Sequence, residues 1–298
     1  MVTNVKNNEV KSYDNSISEG NRKEYRVALS IAGSDSSGGA GIQADIKTFS
    51  ALGVYGATAI TAITAQNTIG VYSQLSISPQ IVYNQIVTVL DDLSPSVIKI
   101  GMLSNAEIVA SVADALDNCT MPIILDPVIV STSGHRLLSV EGEELLKQRL
   151  LPMATLVTPN IPEITALTQT SIATYNDKIR AAEHLFEYGA KAILLKGGHE
   201  DGDIKSDILF ANTPLGIHST FFTSDSIPTR NTHGTGCTLS SAIAAYMAHG
   251  FELNVAISYA KEFVTKAIFH GANIAIGHGF GPINHGFNPQ KMQCYDIK

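Results

Sequence analysis

Cysteine, positive charge and long apolar runs are all scarce in this chain, and each scarcity excludes a class of protein. The three cysteines, Cys119, Cys237 and Cys294, form no Cys-x-x-Cys pair, which argues against a disulfide framework and against a zinc site. Lysine and arginine number 20 against 27 acidic residues, which gives a formal net charge of −7. The basic residues form no stripe, so we expect no nucleic-acid partner.

Features of membrane, secreted and metal-binding proteins are missing as well. No apolar run reaches the roughly 20 residues of a transmembrane helix, so we expect no membrane partner. The first residues lack the apolar region of a secretory signal. The nine histidines show no paired helical spacing, and we interpret His199, His233 and His278 as loop residues. These absences predict a cytoplasmic protein.

The composition that remains is that of a globular protein. The chain is 298 residues long, 44% hydrophobic and 16% charged, which is enough for one large domain or two small ones with an ample core. Residues 1–24 are polar and have almost no apolar periodicity, so we expect a flexible tail. No linker or internal repeat interrupts residues 25–298, which predicts a single domain there.

Short apolar strands that end in glycine or a polar residue alternate with helical patterns along the chain. Strands are predicted at 26–32, 55–67, 96–102, 122–127, 154–160 and 191–199. Helices are predicted after the glycines near 39 and 236, and at 80–92, 105–117, 139–150, 176–188 and around 254–270. This βαβ alternation predicts an α/β fold with a largely parallel sheet and helices on both faces. The apolar segments 207–210 and 217–222 suggest late strands that are antiparallel at the sheet edge.

A first glycine loop, Gly33–Gly41, follows the first predicted strand and precedes a helix. That arrangement places a ligand at the carboxyl ends of strands in α/β folds. No Gly-Lys-Ser/Thr closes the loop, which excludes a P-loop. Gly39–Ala44 fits a loose dinucleotide fingerprint, but no acid follows about 20 residues later. Asp45, in the first turn of the helix, either interacts with the helix dipole or faces a ligand over the loop.

A second glycine loop, Gly234–Cys237, precedes the small apolar residues 239–247, which are typical of a helix. A glycine-rich turn at a helix N-terminus gathers unpaired N–H groups and the positive end of the helix dipole, which suits phosphate. Cys237 stands at this end, where we expect the pKa of its thiol to fall. The simpler alternative is a helix entrance that merely needs glycine.

Polar and sulfur-containing side chains follow several of the predicted strands. Gln66 could pair with a flat heterocycle by donating and accepting at once, although the local sequence Gln-Asn favours the simpler role of opening a turn. Met102 could pack against a ring.

Four further polar residues, Asp126, Asn160, Glu163 and Lys196, should gather at the carboxyl edge of the sheet. Each alone could be a helix cap or a turn former. Beside an anion-binding turn, they suggest phosphoryl transfer. The acids Asp126 and Glu163 would hold Mg²⁺ through water, and Lys196 would neutralise phosphate charge.

These motifs together resemble one known family. The segments Ile31–Asp45 and Thr229–Cys237 are similar to the hydroxymethylpyrimidine/phosphomethylpyrimidine kinases of thiamine biosynthesis, which belong to the ribokinase superfamily. The likeness extends over about residues 26–286. It includes the segments Lys99–Leu103, Leu125–Val128, Thr158–Glu163, Lys196–His199 and Gly277–Pro282.

The resemblance implies a ribokinase-like three-layer α/β sandwich and a kinase that uses ATP and Mg²⁺. Its expected reaction is the ATP-dependent phosphorylation of 4-amino-5-hydroxymethyl-2-methylpyrimidine, followed by phosphorylation of the monophosphate. Homodimers are common among such relatives, so a homodimer is expected. The resemblance leaves two alternatives open, a pyridoxal or pyridoxine kinase and a non-catalytic pyrimidine sensor.

The resemblance also implies roles for particular residues. The pyrimidine would be bound by Gly33, Asp45, Gln66 and Met102, with Asp45 on the hydroxymethyl group or a ring donor and Gln66 on the aminopyrimidine. The phosphates of ATP would lie near Asn160, Lys196 and Thr235, and the metal near Asp126 and Glu163. The catalytic set would be Gly234, Gly236, Cys237 and Lys196. Many relatives carry Asp in place of Cys237 as general base, so the thiol is our candidate for that role.

Overall fold

The computed structural model describes residues 23–131, 134–198 and 202–296. The predicted tail lies outside these residues except for Lys23 and Glu24, which belong to a strand. His199, the last residue of a predicted strand, also lies outside them.

Eleven strands and eight helices occur in the described residues. The strands are β1 (Lys23–Tyr25), β2 (Val27–Asp35), β3 (Tyr55–Gln66), β4 (Val71–Ser76), β5 (Val97–Ile100), β6 (Ile123–Leu125), β7 (Leu156–Val157), β8 (Ala192–Leu195), β9 (Ile204–Thr213), β10 (Gly216–Asp225) and β11 (Cys294–Asp296). The helices are α1 (Gly41–Ala51), α2 (Pro79–Leu93), α3 (Ala106–Ala115), α4 (Val140–Arg149), α5 (Ile161–Thr168), α6 (Tyr175–Glu187), α7 (Thr235–Ala248) and α8 (Leu253–Gly271).

A nine-stranded sheet in the order β10-β9-β8-β7-β6-β5-β2-β3-β4 forms the centre of the molecule. Its six middle strands, from β8 to β3, are parallel, whereas β4, β9 and β10 pair antiparallel at the two edges. The prediction of late antiparallel strands at the sheet edge is therefore confirmed. The carboxyl ends of β2, β5, β6, β7 and β8 meet along one edge, as parallel pairing requires.

Two apolar cores lie on opposite faces of this sheet. Alternate residues of β2 point to opposite faces, so Leu29 and Ile31 join one core and Ala28 joins the other. The first core is completed by α2 to α6, and the second by α1, α7 and α8, including the fully buried Phe49. The structure thus has three layers, as expected from the βαβ pattern.

Four elements were not predicted from the sequence: the edge strand β4, the short helix α5 and the strands β1 and β11, which form a small antiparallel pair. The segment 71–76 mixes polar and apolar residues and none of its residues is buried, so it lacks the apolar run that marked the other strands. No helix in the described part of the chain is long and apolar enough to span a membrane.

Candidate active site

A cavity of about 330 Å³ lies at the carboxyl edge of the sheet, where the two glycine loops meet. Residues of the first loop, including Gly33 and Gly41, line one part of its wall. The second loop, Gly234–Cys237, lines another part, next to Lys196. Segments about 200 residues apart in sequence therefore share one cavity, as the resemblance implied.

The first glycine loop is organised by the carboxylate of Asp35, the last residue of β2. One carboxylate oxygen accepts hydrogen bonds from the backbone N–H and the hydroxyl of Ser37 at 2.8 and 2.7 Å. The other accepts from the backbone N–H groups of Gly39 and Ala40 at 3.2 and 2.8 Å. This internal scaffold fixes the loop before any ligand binds.

A histidine joins the first loop to the second. His233, directly before Gly234, has Nε2 at 2.8 Å from Asp35 Oδ2. Its ring lies so close to Gly39 that an added Cβ atom there would fall 2.3 Å from His233 Cδ2. Burial alone would raise the pKa of Asp35, but hydrogen bonds from His233 and Ser37 outweigh burial and lower this pKa to about 2.

The backbones of the two loops are also in direct contact. Gly234 has a φ of +83°, and a Cβ atom there would fall 1.8 Å from the carbonyl oxygen of Gly39. A side chain is therefore excluded at position 234 by both conformation and space.

Three of the four predicted substrate-binding residues, Gly33, Gln66 and Met102, line the cavity. Met102 Sδ would be only 2.8 Å from a Cβ atom on Gly33, so the glycine lets the thioether pack against the loop. Gln66 ends β3, and its side-chain amide lies between Thr64 and His233.

The prediction that Asp45 faces a ligand is wrong for this structure. Asp45 is fully buried and is not part of the cavity wall. Its carboxylate oxygens accept from Lys99 Nζ at 2.9 and 2.8 Å. The hydroxyls of Ser30 and Ser241 each donate to it at 2.6 Å. All of its acceptor capacity is used by the protein, because a buried carboxylate needs such compensation.

The residues Asp126, Asn160, Glu163 and Lys196 come together as the strand pattern predicted, and all four line the cavity. Lys196 Nζ donates to Asp126 Oδ1 at 2.7 Å and lies 3.6 Å from Glu163 Oε2. Asp126 also accepts from Thr158 and Ser240 at 3.3 Å each. The adjacent carboxylates raise the pKa of Lys196 despite its burial, so its ammonium group is permanently charged.

Asn160 and Glu163 form a reciprocal cap at the start of α5. The Asn160 side chain accepts from Glu163 N, and Glu163 Oε2 accepts from Asn160 N, both at 2.8 Å. Burial raises the pKa of Glu163 to about 7, against the lowering effect of Lys196. The cap holds the carboxylate at the cavity wall.

Mg²⁺ is commonly held by one or two carboxylates together with water and substrate phosphates. Asp126 and Glu163 fit that requirement, because both are carboxylates on the cavity wall and both lie beside the same lysine. A site made of protein ligands alone does not occur, since the described residues contain no group of three or more metal-binding side chains.

The N-terminus of α7 opens toward the Lys196 cluster. Gly234 is its N-cap, and the helix begins at Thr235. A Cβ atom on Gly236 would fall 3.3 Å from Lys196 Nζ and 3.9 Å from Asp126 Oδ2. A phosphoryl group at this helix end would thus meet backbone N–H groups, the positive end of the dipole and the lysine together.

The predicted fall in the pKa of the Cys237 thiol is wrong. Burial raises this pKa to about 11, and the opposing attraction of Lys99 is smaller. The carboxylates of Asp126 and Asp45 raise it further, whereas a hydrogen bond from Gly41 N–H lowers it. Desolvation therefore dominates the pKa of this thiol, and the thiol is protonated at neutral pH.

Two residues that organise the site were missed as functional candidates, Asp35 and His233. His233 was interpreted as a loop residue, yet it is buried and bonded to Asp35. Asp35 is the second residue of the run Ser34–Ser37, Ser-Asp-Ser-Ser, and Asp in such a run is typical of an Asx turn. The turn signal at Asp35 was visible in the sequence. The contact of Asp35 with His233, 198 residues away, could not be predicted from it.

A three-layer α/β fold with an anion-binding helix N-terminus beside a lysine and two carboxylates defines a phosphotransferase. The family model for phosphomethylpyrimidine kinase matches residues 35–284. The hydroxymethylpyrimidine/phosphomethylpyrimidine kinase of Rhizobium meliloti is 48% identical over 260 residues, which cover 87% of this chain and 96% of that protein. The chain belongs to the phosphomethylpyrimidine kinase family.

A second relative links the family to a pathway. The thiamine biosynthesis bifunctional protein of Geobacter sulfurreducens is 44% identical over 258 residues, covering 86% of this chain and 51% of that protein. The names of these relatives favour hydroxymethylpyrimidine phosphorylation over the pyridoxal alternative.

Solved structures give the same fold. The phosphomethylpyrimidine kinase of Clostridium difficile has a TM-score of 0.71 at 43% identity, covering 82% of this chain and 99% of that one. The pyridoxal kinase of Staphylococcus aureus, solved with pyridoxal, has a TM-score of 0.79 at 30% identity, covering 92% and 100%. The ribokinase-like three-layer sandwich is therefore confirmed.

Proposed function

We propose that the chain phosphorylates 4-amino-5-hydroxymethyl-2-methylpyrimidine and then its monophosphate, with ATP as donor, in thiamine biosynthesis. One observation carries this proposal. A single cavity is lined by Gln66 and Met102, which suit a polar heterocycle, and by Gly236 and Lys196, which suit a phosphoryl group. An alcohol on the heterocycle would then face the terminal phosphate of the nucleotide.

The residues on the phosphate side supply positioning and charge. We assign the backbone of Gly234–Cys237 to stabilising the oxygens of the transferring group, as donors aimed at developing charge do. Lys196 neutralises the same group, with Thr235 and Asn160 beside the nucleotide phosphates. In a loose transition state these contributions exceed that of a general base.

Cys237 has a proposed role that differs from a preformed base. With its pKa raised to about 11, the free enzyme holds a neutral thiol at pH 7. We assign its sulfur to accepting a hydrogen bond from the alcohol, whose proton passes to an oxygen of the transferring phosphoryl group once the new O–P bond forms. In a loose transition state the nucleophile needs little activation early in the transfer.

Asp126 and Glu163 are the residues that would hold Mg²⁺. When bound, the ion neutralises phosphate charge. The carboxylates themselves orient Lys196, because both lie within 3.6 Å of its ammonium group.

Turnover assays test the substrate assignment. ATP consumption is measured side by side with the hydroxymethylpyrimidine, its monophosphate and pyridoxal. We expect kcat/KM to be higher with both pyrimidines than with pyridoxal. A preference for pyridoxal would overturn the proposal, and tight pyrimidine binding without ATP consumption would indicate a sensor.

Pyridoxal is the second candidate substrate, because the S. aureus pyridoxal kinase shares the fold at a TM-score of 0.79. Its 30% identity is well below the 48% of the pyrimidine kinase from R. meliloti. The sensor alternative is disfavoured by the presence of Lys196, Glu163 and the second glycine loop in one cavity.

We propose in addition that residues 25–298 act as one kinase domain that forms a homodimer in the cytoplasm. Support for a second copy comes from the open edge strand β4 and its neighbour β3. The two strands and the turn between them expose four large apolar side chains by 49–68%, those of Ile63, Ile69, Tyr72 and Leu75. Such a patch is a common protein–protein contact. Light scattering should give twice the chain mass, and Leu75→Asp should shift it toward the monomer.

A further inference from the structure

The segment Gly281–His285, which we name the C-terminal brace, contacts the second glycine loop at both of its ends. Before the loop, His233 N donates to the carbonyl oxygen of Gly281 at 3.0 Å. After the loop, Thr238 Oγ1 lies 2.9 Å from Nε2 of His285. Both Thr238 and His285 are buried. The turn that would bind the phosphoryl group is therefore held on both sides by one segment.

The hydroxyl of Thr238 sets the direction of its hydrogen bond with His285. Thr238 Oγ1 donates its single hydrogen to the carbonyl oxygen of Gly234 at 2.8 Å, because a carbonyl only accepts. The hydroxyl oxygen therefore accepts from His285 Nε2, which places a hydrogen on that nitrogen. Burial, with a smaller effect of the positive charge on Lys47, lowers the pKa of His285 to about 4. The imidazole is thus neutral at pH 7, and its one N–H group is the donor to Thr238.

The chain of hydrogen bonds ends at Gly234, the N-cap of α7. Its carbonyl oxygen accepts from Thr238 N at 2.9 Å as well as from the hydroxyl. A peptide group is planar, so holding this carbonyl also holds the N–H group of Thr235, which donates to Thr232 O at 3.3 Å. The next two residues of the helix line the cavity, and N–H groups at these positions lack intrahelical partners. Those donors therefore belong to a turn whose start is fixed.

We propose that His285 is a positioning residue for phosphoryl transfer, which acts through Thr238 to hold the anion-binding turn at the start of α7. Donors that are fixed beforehand stabilise developing charge without having to reorient during the reaction. His285 supplies this rigidity from outside the cavity, because it is not part of the cavity wall. The inference rests on the proposed role of the second glycine loop and adds the residue that maintains its geometry.

A double-mutant cycle tests whether His285 acts through Thr238. We compare kcat, corrected for the folded fraction, in the native enzyme, His285→Leu, Thr238→Val and the double variant. Each single substitution should lower kcat by about tenfold, the effect expected when a buried hydrogen-bonding group loses its partner. The KM values for ATP and the pyrimidine should change by less than about threefold. The double variant should lose no more than Thr238→Val, because the hydroxyl through which His285 acts is already gone.

Two further variants separate positioning from general packing. His285→Gln can place an N–H group on the Thr238 hydroxyl, so it should keep kcat within about threefold of the native value. His249→Leu is the matched control at the other end of α7, because His249 bonds Leu52 and Tyr295 outside the cavity wall. This variant should leave kcat unchanged.

Two results would overturn the proposal. One is a folded His285→Leu enzyme whose kcat lies within about threefold of the native value. The other is a double variant whose loss equals the product of the two single losses, since the two residues would then act independently. If His285→Leu does not fold, His285→Asn takes its place with the same expected loss, because the shorter amide cannot reach the Thr238 hydroxyl.

Failure of the proposed function gives a different result. A native enzyme that phosphorylates neither pyrimidine would refute the substrate assignment, and the turn is then tested without turnover. The readout is the calorimetric affinity for ADP with Mg²⁺ and aluminium fluoride, a mimic of the transferring phosphoryl group, relative to ADP with Mg²⁺ alone. His285→Leu should lower this ratio by about tenfold. An unchanged ratio would overturn the positioning role.

Discussion

Two lysine–aspartate pairs lie at the same end of the sheet, and they differ in how much of their capacity the protein uses. Lys99 and Asp45 are both completely buried, and the serine hydroxyls of β2 and α7 saturate the carboxylate. Lys196 and Asp126 border the cavity, and the lysine side chain retains 11% exposure. The sealed pair joins α1, β2, β5 and α7, whereas the open pair is available to phosphate.

The comparison teaches that a buried charged residue does not by itself indicate a catalytic or ligand-binding role. Both lysines have a raised pKa because carboxylates overcome the effect of burial. Lys99 also reaches the cavity wall, but its side chain is fully buried, whereas Lys196 is partly exposed there. Only Lys196 can therefore exchange its partner for a ligand.

Breaking the sealed pair should have the largest effect. Lys99→Met strands the Asp45 carboxylate, so we expect a loss of about 3–5 kcal/mol in the free energy of unfolding, measured with urea. Adding Asp45→Asn to Lys99→Met removes the unpaired charge and should recover a large part of the lost free energy of unfolding. If Lys99→Met alone were as stable as the native protein, the division into a sealed and an open pair would be contradicted.

Breaking the open pair should reduce catalysis more than stability. In Lys196→Met we expect kcat to fall by about 10²–10³, the cost of losing one stabiliser of transition-state charge. The free energy of unfolding should change less than in Lys99→Met, because Asp126 keeps two hydroxyl donors beside the cavity. Steady-state kinetics and urea unfolding of Lys196→Met and Lys99→Met test this prediction. A larger loss of unfolding free energy in Lys196→Met than in Lys99→Met would contradict it.

The pH dependence of stability should report on Glu163. Its folded pKa of about 7 lies above the ordinary 4.5, so its contribution is fully present below about pH 4.5 and is lost as pH rises through 7. We expect the native protein to lose roughly 1–3 kcal/mol relative to Glu163→Gln between pH 4.5 and 8. Mg²⁺ should reduce this loss if the carboxylate binds it. Parallel pH curves for the two proteins would exclude the raised pKa.

The smallest effect is expected at Cys237. Because its thiol is neutral at pH 7, Cys237→Ser should keep kcat within about tenfold of the native value, below about 1.4 kcal/mol. Single-turnover phosphoryl transfer gives this value directly. A much larger loss, with substrate binding intact, would restore the thiolate as general base.

Much of the phosphate side could be predicted from the sequence. Asp126, Asn160 and Lys196 each follow an apolar strand, and parallel strands must bring such residues to one edge. The glycines of the second loop likewise precede a helix in the sequence itself. The local sequence pattern and the rule that parallel strands end at one edge are enough to predict these positions.

The remaining features depend on distant packing. The partner of Asp45 is set by how α1 is rotated against the sheet, which the spacing of its apolar residues leaves open. The pKa of Cys237 was predicted from the nearby helix end, but desolvation of the half-buried thiol decides it. The partner of His233 lies on the first loop, and no local signal specifies it.

The short ribbon of β1 and β11 ties the two ends of the described chain together. Neither strand contributes to the cavity wall, and the segment before β11 is anchored to α1 through bonds to Ala51 and Gly53. The polypeptide therefore enters and leaves the described fold at one shared place, outside the wall of the catalytic cavity.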